Sequence, residues 1–188
     1  VNKDIKTMLD MCKEDSKDDK LSAIDMDKLV AYGQSMGGMT SVHMSYTFPQ
    51  DFKITVAFDV YFKAVHERVN GDQGYALTQP LGLFSSETFH HEPRMPYMEG
   101  YDSVATNDKF FKDTQEKNKN PTNYNIYVKN SSHDSQCDLC LLAEKDLIRN
   151  KTIPNVDHEI KNREFVQYGC AFISEHDFFP VPYPLKVS

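Results

Sequence analysis

The sequence predicts an α/β domain built on a parallel sheet, and three observations lead there. Short apolar runs at Lys28 to Tyr32 and Lys53 to Phe58 have the length and type of strands covered on both faces, and Gln79 to Phe84 and Tyr124 to Lys129 read as a third and a fourth strand. Segments of helical length separate several of them. Three of the runs lead directly into polar residues that carry chemistry, Ser35, Asp59 and His133.

The elements follow in order. Ile5, Met8, Leu9 and Cys12 fall at i, i+3, i+4 and i+7, so residues 3–14 read as a helix with one apolar stripe, ended by the charged break from Lys13 to Lys20. The first strand runs into Gly33-Gln34-Ser35-Met36-Gly37-Gly38. Residues 39–48 fit a strand by the alternation of Val42, Met44 and Tyr46, or a helix ending before Pro49. Asn70 to Gly74 is a turn by composition. A polar, proline-marked stretch follows the third strand through Tyr101, and residues 102–117 have helical length until Asn118 to Pro121 breaks them. The fourth strand leads into Asn130-Ser131-Ser132-His133. Residues 135–149 and 157–176 read as helices, and residues 177–188 form a proline-rich tail on what is otherwise a single domain.

Composition narrows the function classes. The chain has 188 residues, of which 39% are hydrophobic, enough for one ordinary core. With 21 basic and 28 acidic residues it carries a net charge of −7, which argues against a nucleic-acid or anionic-membrane surface as the main partner. It shows no run of 18 apolar residues and no charged-then-apolar leader, so an export signal is expected upstream if there is one. Four cysteines, Cys12, Cys137, Cys140 and Cys170, allow two bridges in any of three pairings and do not fix the compartment. The sequons at Asn130 and Asn150 favour a secreted, extracellular glycoprotein over a cytoplasmic protein.

The pentapeptide Gly33-Gln34-Ser35-Met36-Gly37 fits the G-x-S-x-G nucleophile elbow, in which a strand turns sharply into a helix and exposes a serine at the sheet's C-terminal edge. Small residues on either side, Gly33 and Gly37, suit the crowded backbone, and Gly38 would let the helix lie close to the sheet. A serine hydroxyl needs a base to take its proton and an acid to orient that base, and α/β-hydrolases present them in the chain order Ser, Asp or Glu, His. Asp59, at the end of the second strand, and His133, after the fourth, keep that order and sit where strand ends converge on one edge.

The strings Leu29-Val-Ala-Tyr-Gly-Gln-Ser-Met-Gly-Gly38, Ile54-Thr-Val-Ala-Phe-Asp59, Gln79-Pro-Leu-Gly-Leu-Phe-Ser-Ser86 and Val128-Lys-Asn-Ser-Ser-His-Asp134 resemble the C-terminal half of platelet-activating factor acetylhydrolases, over about residues 3–150. The resemblance implies a calcium-independent phospholipase A2 that cleaves short or oxidised sn-2 acyl chains and needs no cofactor or metal. Ser35 would be the nucleophile, Asp59 the acid, His133 the general base and the Met36 N–H one oxyanion donor. The family more often has His where Gln34 stands, a difference expected to be tolerated because that side chain does not react. Asp59 and His133 lie 74 positions apart, which implies an insertion near residues 86–121. Only 34 residues precede Ser35, too few for the earlier strands and the second oxyanion donor of such a fold, so a second chain supplying the N-terminal half is expected.

Other readings compete with these. His133, Cys137, Cys140 and Cys170 could make a four-ligand zinc site, at the cost of the base. Phe89-His-His-Glu-Pro93 reads as a polar loop at a pocket rim. Phe178, Phe179 and Tyr183 either pack the tail onto the body or touch a lipid surface transiently. The alternation of Phe52, Ile54, Val56, Phe58, Val60, Phe62 and Ala64 has the period of a long half-buried antiparallel strand. With strands at 40–48 and 74–84 it would give a lipocalin-like barrel that binds a small apolar ligand and has no enzymatic activity.

Overall fold

The computed structural model describes residues 2–17, 25–71, 74–91, 102–136, 157–176 and 178. Four strands, β1 (Val30–Gln34), β2 (Ile54–Phe58), β3 (Leu81–Ser86) and β4 (Tyr124–Val128), lie side by side in the order β1-β2-β3-β4, and every neighbouring pair is parallel. Parallel neighbours need crossovers, which helices supply. These are α2 (Met36–Thr47) between β1 and β2, α3 (His66–Asn70) between β2 and β3, and α4 (Glu87–His91) with α5 (Ser103–Asn118) between β3 and β4. Helix α1 (Asn2–Asp15) precedes the sheet and α6 (His158–Ser174) follows it.

The two inner strands are buried at every position, which is why they read as continuous apolar runs. Their side chains still alternate between faces. Ala57, Leu81 and Leu83 join Val42, Phe62 and Phe110 in one core, while Ile54, Val56, Phe58 and Phe84 join Phe165 and Phe172 of α6 in another. Glycines set the spacing on the α6 side. A Cβ on Gly82 would stand 3.1 Å from the Phe172 ring, and one on Gly169 3.1 Å from the Phe58 ring. Filling the fully buried Phe172 site with alanine would cost on the order of 3–5 kcal/mol.

Residues 39–47 are helical, and Phe48 caps the helix. The buried residues of α2 are Gly38, Ser41, Val42, Met44 and Ser45, three of them small or polar, so the apolar alternation of Val42, Met44 and Tyr46 does not mark a strand. Those hydroxyls are satisfied: Ser41 Oγ donates to the Gly37 carbonyl at 3.0 Å, and Thr55 donates to Ser45 Oγ at 2.7 Å. Gly38 does bring the helix close to the sheet, since a Cβ there would lie 3.1 Å from the Phe58 carbonyl oxygen.

The barrel reading is overturned. The alternating run from Phe52 to Ala64 is a strand only over Ile54–Phe58 and then passes through Asp59, with a φ of 43°, into a 3-10 turn at Phe62–Val65. Strand β3 begins at Leu81 and extends to Ser86, beyond the expected end at Phe84, before α4 enters the stretch expected to be irregular. In α1, Ile5 and Leu9 pack against the body, but Met8 is exposed, which narrows the expected stripe. Asp51, buried between Lys6 and Lys13, ties α1 to the loop before β2. Asp102 and Asp157 cap α5 and α6 by accepting from Ala105 and Ile160.

Candidate active site

All four strands end at one edge, and the three residues singled out from the sequence stand on it or beside it. Ser35 follows β1 directly and precedes α2, with φ 56° and ψ −121°, outside the conformations an L-residue adopts freely. The conformation is held from outside. Ser35 N–H donates to the Phe58 carbonyl at 2.9 Å, while its own carbonyl accepts from Met39 and Tyr61. Gly33 is required there: a Cβ would fall 2.3 Å from the Gly37 carbonyl oxygen. At Gly37 a Cβ would meet nothing within 4 Å, so the expectation that both flanking glycines are needed for space holds for Gly33 alone. Met36 opens α2, and its N–H belongs to the first turn, whose amides have no partner within a helix.

Asp59 follows β2 and is fully buried. His133 opens the 3-10 turn His133–Gln136 after β4, and its Nδ1 lies 3.0 Å from Asp59 Oδ2. The order Ser, Asp, His read from the sequence therefore brings Asp59 and His133 into direct contact. Burial pulls the His133 imidazole pKa down, but the hydrogen bond to Asp59 and the charges of Asp59 and Asp134 outweigh it and leave the group above its ordinary value.

Five further residues hold these groups. Gln34, the residue before the serine, donates its side-chain amide to the His133 carbonyl at 2.9 Å. Thr88 Oγ1 accepts from the His133 N–H at 3.2 Å, and the Phe89 ring stacks on the imidazole with centroids 5.2 Å apart. Ser86, at the end of β3, donates its N–H to Asp59 Oδ1 at 2.6 Å and its hydroxyl to Oδ2 at 2.7 Å. Gln136 Nε2 also donates to Asp59 Oδ2, at 2.6 Å. Below them Ser135 Oγ joins Ser132 to the buried His158 Nδ1, at 3.0 and 2.9 Å, anchoring the turn to the start of α6. The sequence offered one signal for Ser86, a polar pair ending an apolar strand. For Gln136 and His158 it offered none, because both contacts depend on a short turn.

The remaining candidates separate clearly. Asn130 is exposed with φ 53°, and its N–H donates to Glu87, while the third sequon residue, Ser132, is buried. Asn150, Cys137, Cys140, Phe179 and Tyr183 lie outside the described residues, as do Glu92 and Pro93 and the side chains of His90 and His91. Cys12 and Cys170 are half-buried free thiols. Among the described residues no group of three His, Cys, Asp or Glu side chains is arranged to hold a metal ion, and no helix is long and apolar enough to cross a membrane.

Compared with known proteins, the sequence matches the family model of platelet-activating factor acetylhydrolase, isoform II, over residues 10–178. No curated protein matches it. That match runs from the first helix past α6 and takes in the whole sheet with its polar edge, so the chain belongs to the platelet-activating factor acetylhydrolase, isoform II family, a family of ester hydrolases with the α/β-hydrolase fold.

Proposed function

We propose that the chain is a serine-dependent carboxylic ester hydrolase, a calcium-independent phospholipase A2 that releases short or oxidised sn-2 acyl groups. The observation that carries the reading is the 3.0 Å contact between His133 Nδ1 and Asp59, on the edge where Ser35 sits at a positive φ. Asp59 accepts a hydrogen bond from His133 Nδ1–H, which fixes the tautomer and leaves Nε2 as the basic nitrogen. His133 Nε2 removes the Ser35 proton as Oγ attacks the ester carbonyl carbon, and the Met36 N–H takes up charge on the oxygen. The tetrahedral intermediate collapses, and the alcohol leaves with the proton from His133. Water, deprotonated by the same histidine, then releases the acid and restores Ser35.

Strand β1 has a neighbour on one side only among the described residues, and its central residue, Tyr32, is 60% exposed. That edge supports a second proposal, that an N-terminal segment, on this or a separate chain, pairs there and supplies the other oxyanion donor. The sequons support a secreted protein, and intact mass of the native protein reads both glycans and any second chain.

The test of the function is an organophosphate probe on the native protein with and without Ser35→Ala. One label on Ser35 and loss of turnover by several orders of magnitude in the variant are expected. Ordinary turnover by Ser35→Ala sinks the assignment.

A further inference from the structure

The Asp59 carboxylate is more heavily occupied than orienting one histidine requires. Oδ2 accepts from His133 Nδ1, from Ser86 Oγ and from Gln136 Nε2, and Oδ1 accepts from the Ser86 N–H. Donors that share one oxygen draw on the same charge, so each weakens the hold of the others. Gln136 and His133 are also the two ends of a single 3-10 turn and converge on the same atom. The amide cannot be turned over without setting its carbonyl against the carboxylate, and its Oε1 is buried with no hydrogen-bond partner among the described residues. An amide bound at one end and orphaned at the other costs stability, and such a group calls for a reason.

We infer that Gln136 is a positioning residue that tunes the base, competing with His133 for Asp59 Oδ2 and so keeping the imidazole less basic than an unshared carboxylate would make it. The inference rests on the proposed roles of Ser35, Asp59 and His133. The charged groups that act on the imidazole are Asp59 from the end of β2 and Asp134 from its own turn. Glu87, at the start of α4, is engaged with the Asn130 N–H, and His158 of α6 reaches the turn through Ser135. None of these changes when Gln136 is replaced by methionine, which keeps the side chain's length and removes its donor.

In the native protein, Gln136→Met should move the acid limb of the kcat/KM profile upward by about half to one pH unit, with the plateau changed less than about threefold. A residue that merely supports the turn would lower the rate at every pH and leave the limb in place, and that result overturns the inference. A second measurement does not depend on the variant folding. In the wild-type protein the Gln136 side-chain amide resonances should shift with the same midpoint as the His133 ring, since both N–H groups donate to one oxygen. Amide resonances that stay constant through the His133 titration likewise overturn the inference. The two failures are distinguishable: turnover by Ser35→Ala removes the catalytic reading, whereas an unmoved acid limb in a protein whose Ser35→Ala variant is inactive removes only the role of Gln136.

Discussion

Gln34 crosses the polar edge of the sheet to donate its amide to the carbonyl oxygen of His133, 99 residues further along the chain, at 2.9 Å. The residue beside the serine is thereby fixed to the residue whose ring must reach it. Its side chain does not react, yet it is not inert. Gln34→Leu should lower kcat/KM about 10- to 100-fold, because small displacements of a catalytic pair are costly. Gln34→His keeps a donor at this position and should retain most of the rate. Equal activity of the leucine variant and the wild type in steady-state assays would show that the link does not position the base.

The pH dependence has a defined sign. In the proposed mechanism the neutral imidazole is the active form; burial lowers the His133 pKa, but Asp59 and, to a smaller extent, Asp134 raise it above its ordinary value. The acid limb should therefore lie above the unperturbed figure of about 6.5 that the sequence alone suggests. Asp134→Asn removes one of the raising charges and should move the limb down. A limb that rises or stays fixed in that variant contradicts the electrostatic account.

The elbow glycines should respond differently. Gly33→Ala places a methyl 2.3 Å from the Gly37 carbonyl oxygen and 2.7 Å from Ser41 Oγ, contacts that only a backbone shift relieves. A loss of about 3 kcal/mol or more is expected by thermal unfolding. Gly37→Ala meets nothing within 4 Å and lies in a helix, where alanine is favoured by up to about 1 kcal/mol. Comparable destabilisation of both would mean that Gly37 faces a surface beyond the described residues.

The inner strands were legible because β2 and β3 are covered on both faces, so burial writes a plain apolar run into the sequence. Asp59 and His133 were legible for a related reason: a parallel sheet delivers every strand end to one edge, and a polar residue after an apolar run marks that edge. Helix α2 was ambiguous because it buries Gly38, Ser41 and Ser45 beside Val42 and Met44, which blurs its helical period to hydrophobicity. Gln136 and His158 were illegible as partners because their contacts are set by a short turn, 77 and 23 residues away from the groups they touch. The glycine at position 37 shows the opposite error, a motif position assigned a steric need that its surroundings do not impose.

The strain at Ser35 is separable from its chemistry. Its φ of 56° with ψ of −121° is disfavoured by the clash of Cβ with the backbone, a penalty of about 1–3 kcal/mol for such positions. Alanine keeps the Cβ and the penalty, while glycine removes both. Glycine also adds freedom to the unfolded chain, which offsets about 0.5–1 kcal/mol of the gain. Ser35→Ala and Ser35→Gly should therefore lose ester hydrolysis alike, with the glycine variant the more stable by about 1 kcal/mol. For a chain of this size that corresponds to a melting temperature higher by about 2–4 °C. The comparison is read by calorimetry on the two variants side by side. A glycine variant that melts below the alanine variant would mean that the elbow holds its serine without conformational cost.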